Sequence, residues 1–133
     1  MLRVTLVEDS AVVRTVWRDM MGYVGGIEIV GEYGRLETAI EGIRRERPDV
    51  VVLDLQLADS SGIDVLRAVR SDLPETKVIV ITNFVDAVYR RVCGELGVHA
   101  FYDKNREIGR FLREVSHLEA QSRRRPTDDA PPV

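Results

Sequence analysis

Val50-Val51-Val52-Leu53-Asp54 holds four consecutive apolar residues, three of them β-branched, and stops at a carboxylate. An unbroken apolar run leaves no polar side for water, which is the pattern of a parallel strand covered on both faces. Val78-Ile79-Val80-Ile81-Thr82 repeats the pattern and stops at a hydroxyl. Working outward, Leu2 to Val7 is a further strand, ended by Glu8-Asp9-Ser10, with Ser10 placed to cap a helix. That helix carries Val13, Val16, Trp17, Met20 and Val24 at helical spacing, with Trp17 and Tyr23 expected to pack, and Gly25-Gly26 closes it. Ile27 to Tyr33 reads as strand, Arg35 to Arg47 as helix up to Pro48, and Gly62 to Ser71 as helix up to Pro74. Asp86 to Leu96 is helical and capped by Gly97, with Cys93 packed inward. His99 to Tyr102 is a short strand, and Arg106 to Ala120 is an amphipathic helix. Five strands alternating with five helices give an α/β, doubly wound, five-stranded parallel sheet, of the flavodoxin-like kind.

The chain has 133 residues, enough for one core. Residues 1–120 read as one domain. Residues 121–133, with Arg123-Arg124-Arg125, three prolines and two aspartates, read as a disordered tail or the start of a linker. A net charge of −3 argues against direct nucleic-acid binding or adsorption to an anionic membrane. The lone Cys93 excludes an internal disulfide. No apolar run nears the ~20 residues of a membrane span, and the first strand starts without a signal-peptide pattern, so a cytoplasmic setting is expected.

Ligands of a doubly wound sheet sit beyond the carboxyl ends of its strands. Those ends carry Glu8 and Asp9, Asp54, Thr82 and, just after the fifth strand, Lys104. Lys104 is one of two lysines among 19 basic residues, in a chain that otherwise uses arginine. Three converging carboxylates repel, and a hard divalent cation such as Mg²⁺ offsets that. A cation, an ammonium and a hydroxyl together suit a phosphoryl group. A carboxylate in that field can attack phosphorus, and Asp54, ending the most buried strand, is the candidate nucleophile.

With these residues in place the chain resembles the receiver domains of two-component response regulators, over roughly residues 2 to 120. The resemblance implies the strand order 2-1-3-4-5. It matches Glu8-Asp9 to the metal-binding pair and Asp54 to the phosphoacceptor, with Gly62 following its loop. Thr82 matches the switch hydroxyl, Phe101 the switch aromatic and Lys104 the active-site lysine. Phe101 reads equally well as a plain core ring. Mg²⁺ is then expected on Glu8, Asp9, Asp54 and the backbone carbonyl of Gln56. The phosphoryl donor is a sensor histidine kinase or phosphotransfer protein. The chain itself catalyses the transfer, and hydrolysis where that occurs. The output is a downstream effector protein or domain, and the face near Val88, Arg91, Tyr102 and Arg110, on helix four, strand five and helix five, is the expected partner or homodimer surface.

Three departures stand out. Ala58 and Asn105 occupy positions where the family often has proline, and Asn83 is larger than the usual residue after the switch hydroxyl. Ala58 suggests a looser loop. Asn83 and Phe84 are expected to crowd the site and slow dephosphorylation. Two further readings are a receiver fold that works as an interaction module without phosphorylation, and a receiver piece of a longer regulator. A flavin-binding electron carrier fits poorly, because Glu8 and Asp9 would repel a flavin phosphate.

Overall fold

A computed structural model describes residues 1–124. The strands are β1 Leu2–Val7, β2 Ile27–Tyr33, β3 Val50–Leu53, β4 Lys77–Thr82 and β5 Ala100–Asp103. The helices are α1 Ala11–Val24, α2 Leu36–Glu46, α3 Gly62–Asp72, α4 Ala87–Glu95 and α5 Ile108–Arg124. The sheet is parallel throughout, in the order β2-β1-β3-β4-β5. This is the expected flavodoxin-like receiver fold.

The unbroken apolar strands have the expected cause. Val51, Leu53, Val78 and Val80 point into a core with Ala39, Ile43, Leu66, Val69 and Cys93 from α2, α3 and α4. Val50, Val52, Ile79 and Ile81 point the other way, onto Trp17, Met21, Phe111 and Val115 from α1 and α5. Each apolar residue of Val50–Leu53 and Val78–Ile81 therefore buries its side chain on one face or the other. A β-bulge interrupts the β1–β2 pairing: Val4 pairs Ile29 and Thr5 pairs Gly31, leaving Val30 unmatched.

Two expectations about α1 need correction. Tyr23 is 93% exposed and Val16 is 49% exposed, so neither joins the core. Trp17 and Met21, four residues apart, are the buried pair, which turns Val12, Val16 and Tyr23 outward. The last helix also outruns its expected end at Ala120 and continues to Arg124. Glu119 is buried and its carboxylate accepts from Arg123 Nε at 2.7 Å one turn on, a pairing that supports the extra turn. Residues 121–124 are thus helical, and the remainder of the expected tail lies outside the described residues. Among the described residues no helix is long and apolar enough to cross a membrane.

Candidate functional site

The strand ends deliver their residues through the sheet's own hydrogen bonds. Glu8 N–H donates to Tyr33 O at 2.9 Å, Asp54 N–H to Val7 O at 2.9 Å and Lys104 N–H to Thr82 O at 2.9 Å. Each extends a parallel ladder one step beyond its strand, so the backbone at these positions is fixed by the sheet. Ser10 caps α1 by accepting from Val13 N–H at 3.2 Å, which turns the chain directly after Glu8-Asp9.

Asp54 is the centre of the cluster, with only 4% of its surface accessible. Thr82 Oγ1 donates to its Oδ1 at 2.7 Å, and the backbone N–H of Gln56 reaches the same oxygen at 3.1 Å. Lys104 Nζ donates to its Oδ2 at 2.7 Å. Thr82 is held in turn, because its Oγ1 accepts from Phe84 N–H at 3.1 Å. Lys104 also pairs with Glu8 Oε1, and its ammonium lies 5.7 Å from the centroid of the Trp17 ring. Glu8, Asp54, Thr82 and Lys104 therefore come together as expected.

Asp9 is exposed, and its side chain lies within hydrogen-bonding reach of the Glu8 carboxyl at the rim of the cluster. Among the described residues no group of three or more histidine, cysteine or acidic side chains is gathered closely enough to hold a metal. The donor set nevertheless suits a hard cation. Glu8 is buried, and its Oε2 has no hydrogen-bond partner. One ammonium serves two buried carboxylates, so the cluster is short of positive charge. Oxygen donors with an unpartnered carboxylate oxygen fit Mg²⁺.

The charge balance shows in the ionisation of the groups. Burial pushes the Glu8 carboxyl up to about 7, against the lowering effect of its bond to Lys104. Burial alone would lower the Lys104 ammonium. The hydrogen bonds to Asp54 and Glu8 outweigh it, so Lys104 titrates above its ordinary value.

The loop after Asp54 is tighter than its sequence suggests. Gln56 bridges Ser61, Leu55 and Leu57 are buried, and Gly62 N–H donates to Leu55 O at 2.7 Å. Ala58 N–H donates to Gly34 O at 3.4 Å, a bond that proline could not make. A Cβ on Gly62 would fall 2.3 Å from the Asp54 carbonyl oxygen, so the close approach of α3 to this loop requires glycine. The peptide after Lys104 is trans, in line with Asn105 replacing proline.

Phe101 is half-buried and packs against the α2–α4 core. Phe84 stacks on Tyr89 of α4, with ring centroids 5.3 Å apart. Asn83 Oδ1 accepts from Asn105 Nδ2 at 3.1 Å. The two residues that follow Thr82 and Lys104 are thus tied to each other.

The contacts of two arginines were not foreseeable from the sequence. Arg14 on α1 donates to the backbone carbonyl of Glu8 and reaches Glu32 Oε1 at 3.5 Å. Arg90 on α4 places its guanidinium carbon 4.7 Å from the Phe101 centroid. In a chain with 17 arginines nothing in the spacing marks these two.

Comparison with known proteins matches residues 4–116 to the response regulator receiver domain. The chain is 31% identical over 121 residues to the DNA-binding transcriptional activator DevR/DosR of Mycobacterium tuberculosis, covering 86% of this chain and 54% of that protein. It is 28% identical over 124 residues to the response regulator protein VraR of Staphylococcus aureus, covering 90% of this chain and 58% of that one. The chain thus spans a little over half the length of these relatives. A LuxR-family DNA-binding response regulator from Staphylococcus aureus superposes with a TM-score of 0.81, at 24% identity, over 90% of this chain and 99% of that structure's chain. That likeness concerns the fold.

Proposed function

The chain belongs to the response regulator receiver domain family, and we propose that it accepts a phosphoryl group on Asp54 from a histidine kinase or phosphotransfer protein. One observation carries this reading. Thr82 and Lys104 donate to different oxygens of the Asp54 carboxylate, at 2.7 Å each, and Asp54 and Thr82 are both buried. The hydroxyl and ammonium that hold the nucleophile are also the donors that would bind phosphoryl oxygens after transfer.

In the proposed step a carboxylate oxygen of Asp54 attacks phosphorus as the bond to the donor histidine breaks. Lys104 moves from Asp54 onto an equatorial phosphoryl oxygen, and Thr82 donates to another. Glu8, Asp9, Asp54 and the Gln56 carbonyl would hold Mg²⁺, which neutralises charge on the phosphoryl oxygens when bound. The movement of Thr82 releases Phe84 N–H, and Phe101 turns inward to fill the space. The face of α4, β5 and α5 changes shape, with Val88 already 58% exposed there. That face is the proposed surface for an effector or a second copy of the chain.

The test is intact mass after incubation with Mg²⁺ and acetyl phosphate. One added phosphoryl group is expected on the wild type and none on Asp54→Asn. Equal labelling of both chains would contradict the reading. If neither gains mass, phosphate release over time decides: steady Asp54-dependent release supports it, and none favours an interaction module.

A further inference from the structure

Arg90 lies in the first turn of α4 with 44% of its side chain accessible, yet its guanidinium is engaged on three sides. Nε donates to Val85 O at 3.2 Å, in the loop that follows Thr82. Its carbon lies 4.7 Å from the centroid of the Phe101 ring on β5. A terminal nitrogen reaches Glu107 Oε1 at 3.6 Å. Glu107 in turn accepts from Asp103 N–H at 3.0 Å. Asp103 Oδ1 accepts from the N–H groups of Asn105, at 2.8 Å, and Arg106, at 3.2 Å. Those bonds close the turn that presents Lys104.

A long side chain held at one place on the surface gives up rotamer freedom. Three partners at once offset that loss, and arginine's planar fork suits them better than lysine would. The partners belong to the β4–α4 loop, the β5 ring and the Lys104 turn. These are the parts that the phosphorylation reading, on which this inference rests, requires to move.

We propose that Arg90 is a positioning residue: it holds Phe101 and the Lys104 turn in the resting arrangement and so sets how readily the Asp54 site takes a phosphoryl group. An inward turn of Phe101 gives up the cation–ring contact, so that contact favours the resting state alone. A contact made in one state only shifts the equilibrium by its own strength. A partly exposed cation–ring contact with a weak ion pair is worth about three- to tenfold in that equilibrium.

The experiment uses the full chain labelled with 4-fluorophenylalanine, read by fluorine NMR and by titration with beryllofluoride in Mg²⁺. Arg90→Ala is expected to move the Phe101 resonance in the free protein and to tighten beryllofluoride about three- to tenfold. Arg90→Lys keeps a cation but not the fork, and is expected to fall between. An unmoved resonance, or an affinity equal to or weaker than wild type, overturns the role given to Arg90. A wild-type chain that binds no beryllofluoride contradicts the phosphorylation reading instead. The Phe101 resonance then decides for or against Arg90 by itself.

Discussion

Glu8 is a buried carboxyl whose charge Lys104 only partly offsets, and the consequence is a pH dependence with a definite sign. Its pKa rises from an ordinary 4.5 to about 7 in the folded chain. Between those values the folded state holds a proton that the unfolded state has released. Without Mg²⁺, stability therefore falls as pH rises through that window. The raised pKa of Lys104 acts only above 10.5, outside the window. Urea titrations from pH 4.5 to 7.5 should show the decline in wild type and a flatter profile in Glu8→Gln. A wild-type profile that climbs across the window would refute this charge balance. At Gly62 the constraint is steric. A Cβ there meets the backbone of Asp54 and Leu55, which cannot move aside cheaply. Gly62→Ala should lower stability by about 1–3 kcal/mol. Gly94→Ala in α4, where a Cβ meets nothing within 4 Å, should be neutral or stabilising by up to about 1 kcal/mol. Equal urea midpoints for the two variants would contradict the close approach of α3 to the Asp54 loop.

Among the elements, β3 and β4 were the easiest to read. Val50 to Leu53 and Val78 to Ile81 are apolar without alternation, and the structure covers both their faces. The strand ends placed Asp54, Thr82, Glu8 and Lys104 together, because a parallel sheet brings its carboxyl ends to one edge. Other features depend on facts that local spacing does not carry. Lys104 reaches Glu8 across 96 residues of sequence, so that pairing was not legible from local spacing. Val16 and Trp17 are neighbours in a helix, and only packing decided that Trp17 faces the sheet. The extra turn of α5 rests on the Glu119–Arg123 pair. In the β4–α4 loop, Phe84 spends its ring on Tyr89, while the Asn83 amide is bonded to Asn105. Crowding of the phosphoryl group should therefore come from the asparagine pair. Asn83→Ala and Asn105→Ala should each shorten the acyl-phosphate lifetime, and Phe84→Ala should change it less. A greater effect of Phe84→Ala, followed by phosphate release, would assign the crowding to the ring.

At the scale of the molecule, one sheet separates two cores, and the cluster of Asp54, Thr82, Lys104 and Glu8 lies where the ends of β1, β3, β4 and β5 meet. A charge added there would border both sides. Lys104 borders Trp17 on the α1–α5 side, and Thr82 leads through Phe84 to Tyr89 on the α2–α4 side. The central claim is that Asp54 is the residue that takes the phosphoryl group. Its most direct test is borohydride reduction of the chain after exposure to Mg²⁺ and acetyl phosphate, followed by peptide mass mapping. An acyl phosphate at Asp54 is reduced to homoserine. Conversion at position 54 alone, absent when Mg²⁺ or acetyl phosphate is omitted, is the predicted result. Conversion at another carboxylate, with position 54 unchanged, would contradict the account.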